Sequence, residues 1–268
     1  MLFVFWGYRK HHVSISGALA GFPLGMILVL ASDCFFICLA FSFISCSKVS
    51  KFRTKEKAKF EKDPVKAEVA LLYLIDVGSG ERPIDLIHDY RASWLALALV
   101  GSLACTTGDT WASELGSVLQ TTRPRLITTL RTVPRGTNGA VTLGGLIMSA
   151  LGGALLGTMY YLLLLFRLSS YTLASAPPQI NLVFVGALAG VVGSLIDSFL
   201  GATVQLSALD ETTGIVVDWI PSSSSHKDIS PYKKISGFPL LDNHGVNLLS
   251  SITMALWTPE LVQLFGIF

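Results

Sequence analysis

One stretch of the sequence, residues 139–166, contains no charged residue and reads GAVTLGGLIMSALGGALLGTMYYLLLLF. It is longer than the roughly 20 apolar residues that an α-helix needs to cross the hydrocarbon core of a bilayer. The stretch therefore predicts a transmembrane helix, and it restricts the rest of the chain to folds that a membrane can hold.

Similar apolar blocks recur along the chain, which is poor in charge. Only 14% of the 268 residues are charged, 51% are hydrophobic and the mean hydropathy is +0.58, whereas a soluble domain typically carries about a quarter charged residues. We predict an all-α, polytopic helical bundle that forms one membrane domain and lies in the lipid bilayer. Its spans are expected near residues 14–31, 33–47, 91–107, 140–166, 181–206 and 246–266.

Basic residues concentrate in two loops between these spans. Residues 47–66 hold eight Lys or Arg against three acids, and residues 121–138 hold four Arg and no acid. Short basic loops beside spans mark the cytosolic side, so we predict that both are cytosolic, together with a polar loop at 207–243. We read them as topology signals and expect no nucleic-acid partner.

The two basic loops can share a face only if an even number of crossings separates them. Residues 91–107 supply one clear crossing. The apolar segment 67–77 has only eleven residues, which is short for a lone spanning helix. It is either re-entrant or joined by flanking residues to complete a second crossing.

Small residues recur every four positions in three of the predicted spans. Such stripes let helix backbones approach closely in lipid. The string GALAG occurs at 17–21 and again at 186–190, which is consistent either with an internal repeat or with shared composition. The stripes consist of Gly17, Gly21 and Gly25; of Gly145, Ser149, Gly153 and Gly157; and of Gly186, Gly190, Ser194 and Ser198.

Four acids lie in or at the ends of the spans, and an ionised carboxylate inside hydrocarbon normally faces a polar cavity or a cation. Three of them are accompanied by hydroxyl and amide groups, whereas Glu114 points to a different face of its helix from Asp109. Oxygen ligands without neighbouring Cys or His suit a hard cation, Mg²⁺ first. Each acid taken alone could instead cap a helix. The three polar sets are Asp109 with Thr106 and Ser113, Asp197 with Ser194, Gly201 and Gln205, and Asp242 with Asn243 and Asn247.

A glycine-rich segment, PRGTNGAVTLGG at residues 134–145, follows the four arginines and runs into the uncharged helix. Backbone N–H groups at a helix start attract phosphate, and Arg side chains such as Arg131 and Arg135 can bind phosphate in a bidentate manner. A phosphate loop beside a metal site is the apparatus of phosphoryl transfer. Its four central residues are Gly136, Thr137, Asn138 and Gly139.

Several motifs, taken in order, resemble the transmembrane protein 19 family. They are GDTWASELG, PRLITTL, VPRGTNGAVT, GSLIDSFLGATVQ, LDETTG and LDNHGVNLLSS, and the likeness covers roughly residues 14–255. That family is also similar to phytyl-phosphate kinases and, more distantly, to the CTP-using polyprenol and phytol kinases. This chain departs from the animal-type pattern by its abrupt beginning and by a serine-rich insertion at 221–234.

The resemblance implies a role for each of these groups. Asp109 and Asp197 would hold Mg²⁺, and Asp242 would complete the set of catalytic carboxylates. The loop residues 136–139 would bind the phosphates of CTP or ATP and of the substrate, together with the Arg side chains named above. The hydroxyl and amide side chains that would join them are those of Thr110, Ser113, Ser198, Gln205, Asn243 and Asn247.

Three classes of function stay open at this point. The first is a Mg²⁺-dependent kinase that acts on an isoprenoid or lipid monophosphate at the cytosolic edge of an endomembrane. The second is a transporter of a small solute or ion with its carboxylates on the permeation path. The third is a membrane protein without chemistry, for which buried carboxylates would be a needless cost.

Overall fold

A computed structural model describes residues 15–50, 64–118, 123–220 and 231–268, and it is mostly helical. The fold class predicted from the apolar blocks is therefore confirmed for this part of the chain. The helices are α1 (Ile15–Ala31), α2 (Asp33–Ser50), α3 (Pro64–Asp76), α4 (Tyr90–Val118), α5 (Leu143–Arg167), α6 (Ser170–Ser175), α7 (Asn181–Val204) and α8 (Asn243–Leu264).

Three of the described helices, α2, α5 and α7, are long and apolar enough to cross a membrane. Helices α4 and α8 have 29 and 22 residues, which is sufficient length at about 1.5 Å per residue, but they are more polar. In α4 this polarity is explained by position, because the helix packs against α2, α3, α5, α7 and α8. The polar side chains of Ser93, Ser102 and Thr107 in α4 are therefore buried.

The long loops and the short turns lie on opposite faces of the bundle. Helices α5 and α7 run antiparallel, since Ser149 lies opposite Gly190 and Gly157 lies opposite Leu182. The segments 123–142, 205–220 and 231–242 consequently share one face, here called the loop face. Residues 77–89 and 168–180 share the other, here called the turn face.

Helix α3 runs from the loop face, where α2 ends, to the turn face, and residues 51–63 of the first predicted basic loop lie outside the described residues. It is antiparallel to α4: Lys66 near its start contacts Thr106, and Asp76 at its end pairs with Arg91. Its 13 residues extend about 20 Å, less than the roughly 30 Å of a hydrocarbon core. Residues 77–80 continue the chain on the turn face, where the Gly80 N–H donates to the Ala31 carbonyl.

The small-residue stripes of α5 and α7 face each other. A Cβ added to Gly153 would collide with the Gly186 carbonyl oxygen, and one added to Gly190 would collide with the Ser149 carbonyl oxygen. Gly108 of α4 meets the same point, against Gly190 and Ser149. The predicted close approach of backbones is confirmed for the stripes of α5 and α7, and it joins three helices at one junction.

Hydrogen bonds between distant residues hold the turn face together. The Gln179 side chain accepts from the Ile84 N–H at 2.8 Å and donates to the Ile84 carbonyl at 2.9 Å. Asp85 accepts from the N–H groups of Ile87 and His88 at 3.0 and 2.9 Å, and it contacts the His88 Nδ1 at 2.8 Å. Arg167 forms an ion pair with Asp33.

The predicted loops 121–138 and 207–243 contain short β-strands. Strands β1 (Arg125–Leu126) and β2 (Ala140–Val141) form an antiparallel pair. A second antiparallel sheet has β3 (Ser207–Asp210) between β4 (Val216–Val217) and β5 (Tyr232–Ser236). The polar loop 207–243 therefore folds back on itself, while residues 221–230 of the serine-rich insertion lie outside the described residues.

Substituting Gly153 with alanine should destabilise the protein, because the new methyl group has no space beside the Gly186 carbonyl. We expect a loss of about 1–3 kcal/mol, the usual effect of overpacking, seen as a lower thermal midpoint in detergent. The control is Gly25→Ala, whose Cβ would meet only the Phe36 ring at 3.4 Å. Equal midpoints for the two variants would contradict the tight junction.

Asp85→Asn should weaken the turn face in a pH-dependent way. Burial raises the pKa of the Asp85 carboxyl, but its hydrogen bonds from His88 and Ile87 outweigh burial and hold the pKa below its usual range. A lowered folded-state pKa contributes stability above the unfolded value and loses it as the pH falls. The variant should be less stable by about 1–2 kcal/mol at pH 7, and this difference should shrink below about pH 4.

The control for this measurement is Asp89→Asn, which removes a more exposed carboxylate that pairs with Arg82 at 3.0 Å. Exposed pairs contribute little to stability, so its thermal midpoint should stay near that of the wild type. A difference between wild type and Asp85→Asn that is constant from pH 7 to pH 3 would contradict the assignment.

Candidate functional site

Helix α4 does not end near Thr107, as the apolar run suggested, but continues to Val118. Hydroxyl groups keep this polar segment helical by bonding to carbonyls of the preceding turn. The Thr106 hydroxyl donates to the Ser102 carbonyl at 3.0 Å, and the Thr110 hydroxyl donates to the Thr106 carbonyl at 2.9 Å. Asp109 therefore lies inside the helix, about 13 Å from its end at 1.5 Å per residue.

Two of the predicted carboxylates lie on neighbouring helices, and each accepts a hydrogen bond from a serine of another helix. The Ser194 hydroxyl of α7 donates to Asp109 Oδ1 at 3.1 Å, and the Ser250 hydroxyl of α8 donates to Asp197 Oδ2 at 3.3 Å. Both aspartates are half-buried. These contacts link α4, α7 and α8 through one polar layer.

A buried thiol marks where the charged groups converge. Cys105 packs against Gly193 of α7. Asp109 and Asp197 each lie one turn further along their own helices, and Lys66 bonds to Thr106, the residue next to Cys105. The two carboxylates and one ammonium thus lie near the same part of α4, next to the three-helix junction.

Lys66 is a site residue that the sequence did not single out. It is 5% exposed, and its Nζ donates to the Thr106 hydroxyl at 3.1 Å. In the sequence it was one of eight basic residues in a predicted cytosolic loop. The available signal was helical spacing: Lys66 shares the inward face of α3 with Val69, Ala70 and Tyr73, all buried.

The glycine-rich loop is seated on α7 close to the carboxylates. Gly136 and Gly139 have φ values of +87° and +77°, which glycine adopts without strain. A Cβ on Gly139 would collide with the Ser198 carbonyl and with Ala202. The Asn138 N–H donates to the Ser207 hydroxyl at 3.0 Å, and the Thr137 hydroxyl donates to the Pro134 carbonyl at 2.8 Å.

The predicted loop residues thereby meet the turn of α7 that follows Asp197. Gly139 packs on the carbonyl of Ser198, the residue directly after Asp197, and Gly201 lies next to both Gly139 and the Gln205 side chain. The start of α5 is less open than expected for anion binding, because the Thr142 hydroxyl caps it by accepting from the Gly145 N–H at 3.0 Å.

Asp242 is placed differently from the other two aspartates. It is exposed and caps α8, accepting from the Gly245 N–H at 2.8 Å. Asn243 begins that helix, and Asn247 lies one turn further along, before Ser250 and its contact with Asp197. Asp242 is therefore a helix cap, while Ser250, further along α8, contacts the Asp197 carboxylate.

The arginines form the outer rim of the site rather than its interior. Arg131 and Arg135 are exposed, as are Arg123 and Arg125. None of the four forms an ion pair with a residue that the structure describes. Ser113, the last hydroxyl of the Asp109 set, is also exposed, and its hydroxyl donates to the Thr110 carbonyl at 3.1 Å.

The donors around Asp109 and Asp197 are carboxylate and hydroxyl oxygens, the type that a hard cation such as Mg²⁺ prefers. Within the described ranges no cluster of three or more His, Cys, Asp or Glu could form a complete protein cage for a metal. Mg²⁺ is commonly held by one or two carboxylates, with water and substrate phosphates as its remaining ligands. Two carboxylates flanked by hydroxyl groups are consistent with that mode.

Comparison with known proteins finds relatives in plants, archaea and cyanobacteria. Protein PGR of Arabidopsis thaliana is 34% identical, over 96% of this chain and 91% of its own length. An uncharacterized membrane protein of Methanocaldococcus jannaschii is 37% identical over 42% of each chain. One from Synechocystis is 29% identical over 75% of this chain and 71% of its own.

No solved structure matches the chain significantly. The family described as integral membrane protein DUF92 matches residues 1–255, nearly the range over which the motifs resembled transmembrane protein 19. Together with the apolar helices, this match confirms the predicted location in a membrane. The chain belongs to the DUF92 family of integral membrane proteins.

Proposed function

We propose that the protein is a Mg²⁺-dependent kinase that transfers a phosphoryl group from CTP or ATP to an isoprenoid or other lipid monophosphate. The observation that supports this most is the arrangement of groups along α7. Ser194 bonds to the Asp109 carboxylate of α4, Asp197 lies about one turn further along α7, and the glycine-rich loop packs on the next residue, Ser198. Carboxylates beside a glycine loop suit phosphoryl transfer, in which catalysis is mostly positioning and charge neutralisation.

The reaction needs little from the protein beyond orientation. A phosphate oxygen of the lipid attacks the γ-phosphorus, the bond from that phosphorus to the β-phosphate oxygen breaks, and the nucleoside diphosphate leaves. A phosphate monoester has a second pKa of about 6, so the attacking oxygen is largely deprotonated at neutral pH without a general base. Bound Mg²⁺ would neutralise phosphate charge. Ser194 and Ser250 would keep Asp109 and Asp197 oriented toward the site.

The distribution of charge supports a cytosolic loop face. On the turn face Arg82, Arg91 and Arg167 are each paired with an aspartate. On the loop face the four exposed arginines of residues 123–135 have no ion-pair partner among the described residues. An excess of positive charge marks the cytosolic side, where CTP and ATP are available. The arginines of the rim would attract their phosphates.

Transport of a small solute or ion is a second candidate, and the depth of Asp109 favours it. Because α4 continues to Val118, this carboxylate lies within a helix and not at its end. Intramembrane acids commonly mark ion and proton pathways. The kinase proposal accounts in addition for the glycine-rich loop on α7.

The test is transfer of label from [γ-³²P]CTP or ATP to phytyl or geranylgeranyl monophosphate by purified protein in detergent with Mg²⁺. Wild type should form the labelled lipid diphosphate. Asp109→Asn should reduce the rate about a hundredfold or more, as losses of transition-state stabilisation do, because one negative charge facing the metal and phosphates is removed.

The matched control is Asp210→Asn, which removes an exposed carboxylate of the same face that bonds to Thr212. It should transfer label at the wild-type rate. If folded, monodisperse wild type transfers no label from either nucleotide, the kinase proposal fails. Proteoliposomes with a proton- or sodium-sensitive dye then test the transport candidate.

A further inference from the structure

Lys66 occupies a position where its helix would ordinarily carry an apolar residue. Val69, Ala70 and Tyr73 follow it at helical spacing, and all four are buried. A buried ammonium is unfavourable unless other groups balance its charge. The Lys66 Nζ donates to the Thr106 hydroxyl of α4 at 3.1 Å, about one turn before the Asp109 carboxylate.

The described groups lie at successive depths below the loop face. The glycine-rich loop packs at the level of Ser198 and Ala202. Asp109 lies about one turn deeper, where it bonds Ser194. Lys66 is deeper again, where it bonds Thr106, about one turn before Asp109. Each turn corresponds to about 5.4 Å, so Lys66 lies farther into the membrane than the loop.

We infer that Lys66 binds the phosphate of the lipid acceptor, an alkyl phosphate monoester, while the glycine-rich loop binds the water-soluble nucleotide. This inference rests on the proposed kinase function and specifies which substrate lies on which side of the carboxylates. A lipid phosphate approaches from the bilayer and a nucleotide from the cytosol. The cation nearer the bilayer therefore serves the lipid.

Helix α3 provides a route for such a substrate. Its outward face exposes Leu71, Leu72 and Ile75, as expected of a helix in contact with lipid. The opposite face carries Lys66 against α4. A lipid with its chain along the exterior of α3 could place its phosphate at the start of this short helix without crossing the bundle.

The experiment measures binding apart from turnover. The thermal midpoint of purified protein in detergent is followed with phytyl monophosphate, phytol, inorganic phosphate, and CTP or ATP with Mg²⁺. The variants are Lys66→Met, which keeps the length of the side chain without its charge, and Lys66→Arg, which keeps the charge. Lys48→Met is the matched control, because Lys48 is an exposed lysine at the end of α2 on the same face.

Phytyl monophosphate should stabilise the wild type more than phytol or inorganic phosphate does. Lys66→Met should bind the monophosphate about tenfold to a hundredfold more weakly, as expected for the loss of a charged hydrogen bond. Its affinity for phytol and for the nucleotide should be unchanged. Lys66→Arg should retain part of the preference for the monophosphate, and Lys48→Met all of it.

The outcomes separate this inference from the kinase proposal. Unchanged binding of the monophosphate by Lys66→Met, or a loss confined to the nucleotide, would overturn the role of Lys66 and leave the kinase proposal standing. Binding that depends on Lys66 without any label transfer by wild type would overturn the kinase proposal and retain Lys66 as the cation for a lipid phosphate. A wild type that binds no monophosphate would overturn both.

Discussion

The rest of the structure depends on one constraint, the direct packing of the α4, α5 and α7 backbones against one another. The contacts are made at Gly108, Ser149, Gly153, Gly186 and Gly190. In lipid there is little hydrophobic force to drive helices together, so their association relies on close packing and interhelical hydrogen bonds. Because α4, α5 and α7 approach without intervening side chains, Ser194 can reach Asp109 at 3.1 Å. Larger residues at the junction would separate the groups that make the site.

Close packing also explains how the bundle tolerates charge in its interior. Asp109 and Asp197 each accept from a serine of a neighbouring helix, and Lys66 brings a positive charge to the same part of α4. Charges removed from water are tolerated when they are paired and hydrogen-bonded. The same arrangement leaves carboxylate and hydroxyl oxygens together at one depth, which is the chemistry that a magnesium–phosphate complex needs.

Features that depend on residues close together in the sequence could be predicted, whereas features that depend on residues far apart in the sequence could not. The uncharged run at 139–166 predicted α5, and the four-residue spacing of glycines predicted the α5–α7 contact. The continuation of α4 was missed because Thr106, Thr110 and Ser113 look polar, although their hydroxyls bond within the helix. Strand β5 was missed because it pairs with β3 across a long insertion.

Two individual residues illustrate the same limit. Asp242 is predicted to be a catalytic carboxylate from its polar neighbours and its motif. That it also caps α8 could not be predicted, because a cap depends on where the helix begins. Lys66 looked like one basic residue among eight. Its burial could be recognised only once it was known which face of α3 packs inward and where Thr106 lies.

The two hydrogen bonds between Gln179 and Ile84 join residues that are 95 positions apart in the sequence, and this separation has a consequence for assembly. The α3–α4 and α5–α7 hairpins have local contacts and can form early, whereas contacts between distant residues form late because loop closure opposes them. The bond between Asp109 and Ser194, 85 positions apart, belongs to the late class. We expect a newly inserted chain to pass through a stage in which the hairpins span the bilayer undocked, with Asp109 and Asp197 still facing lipid.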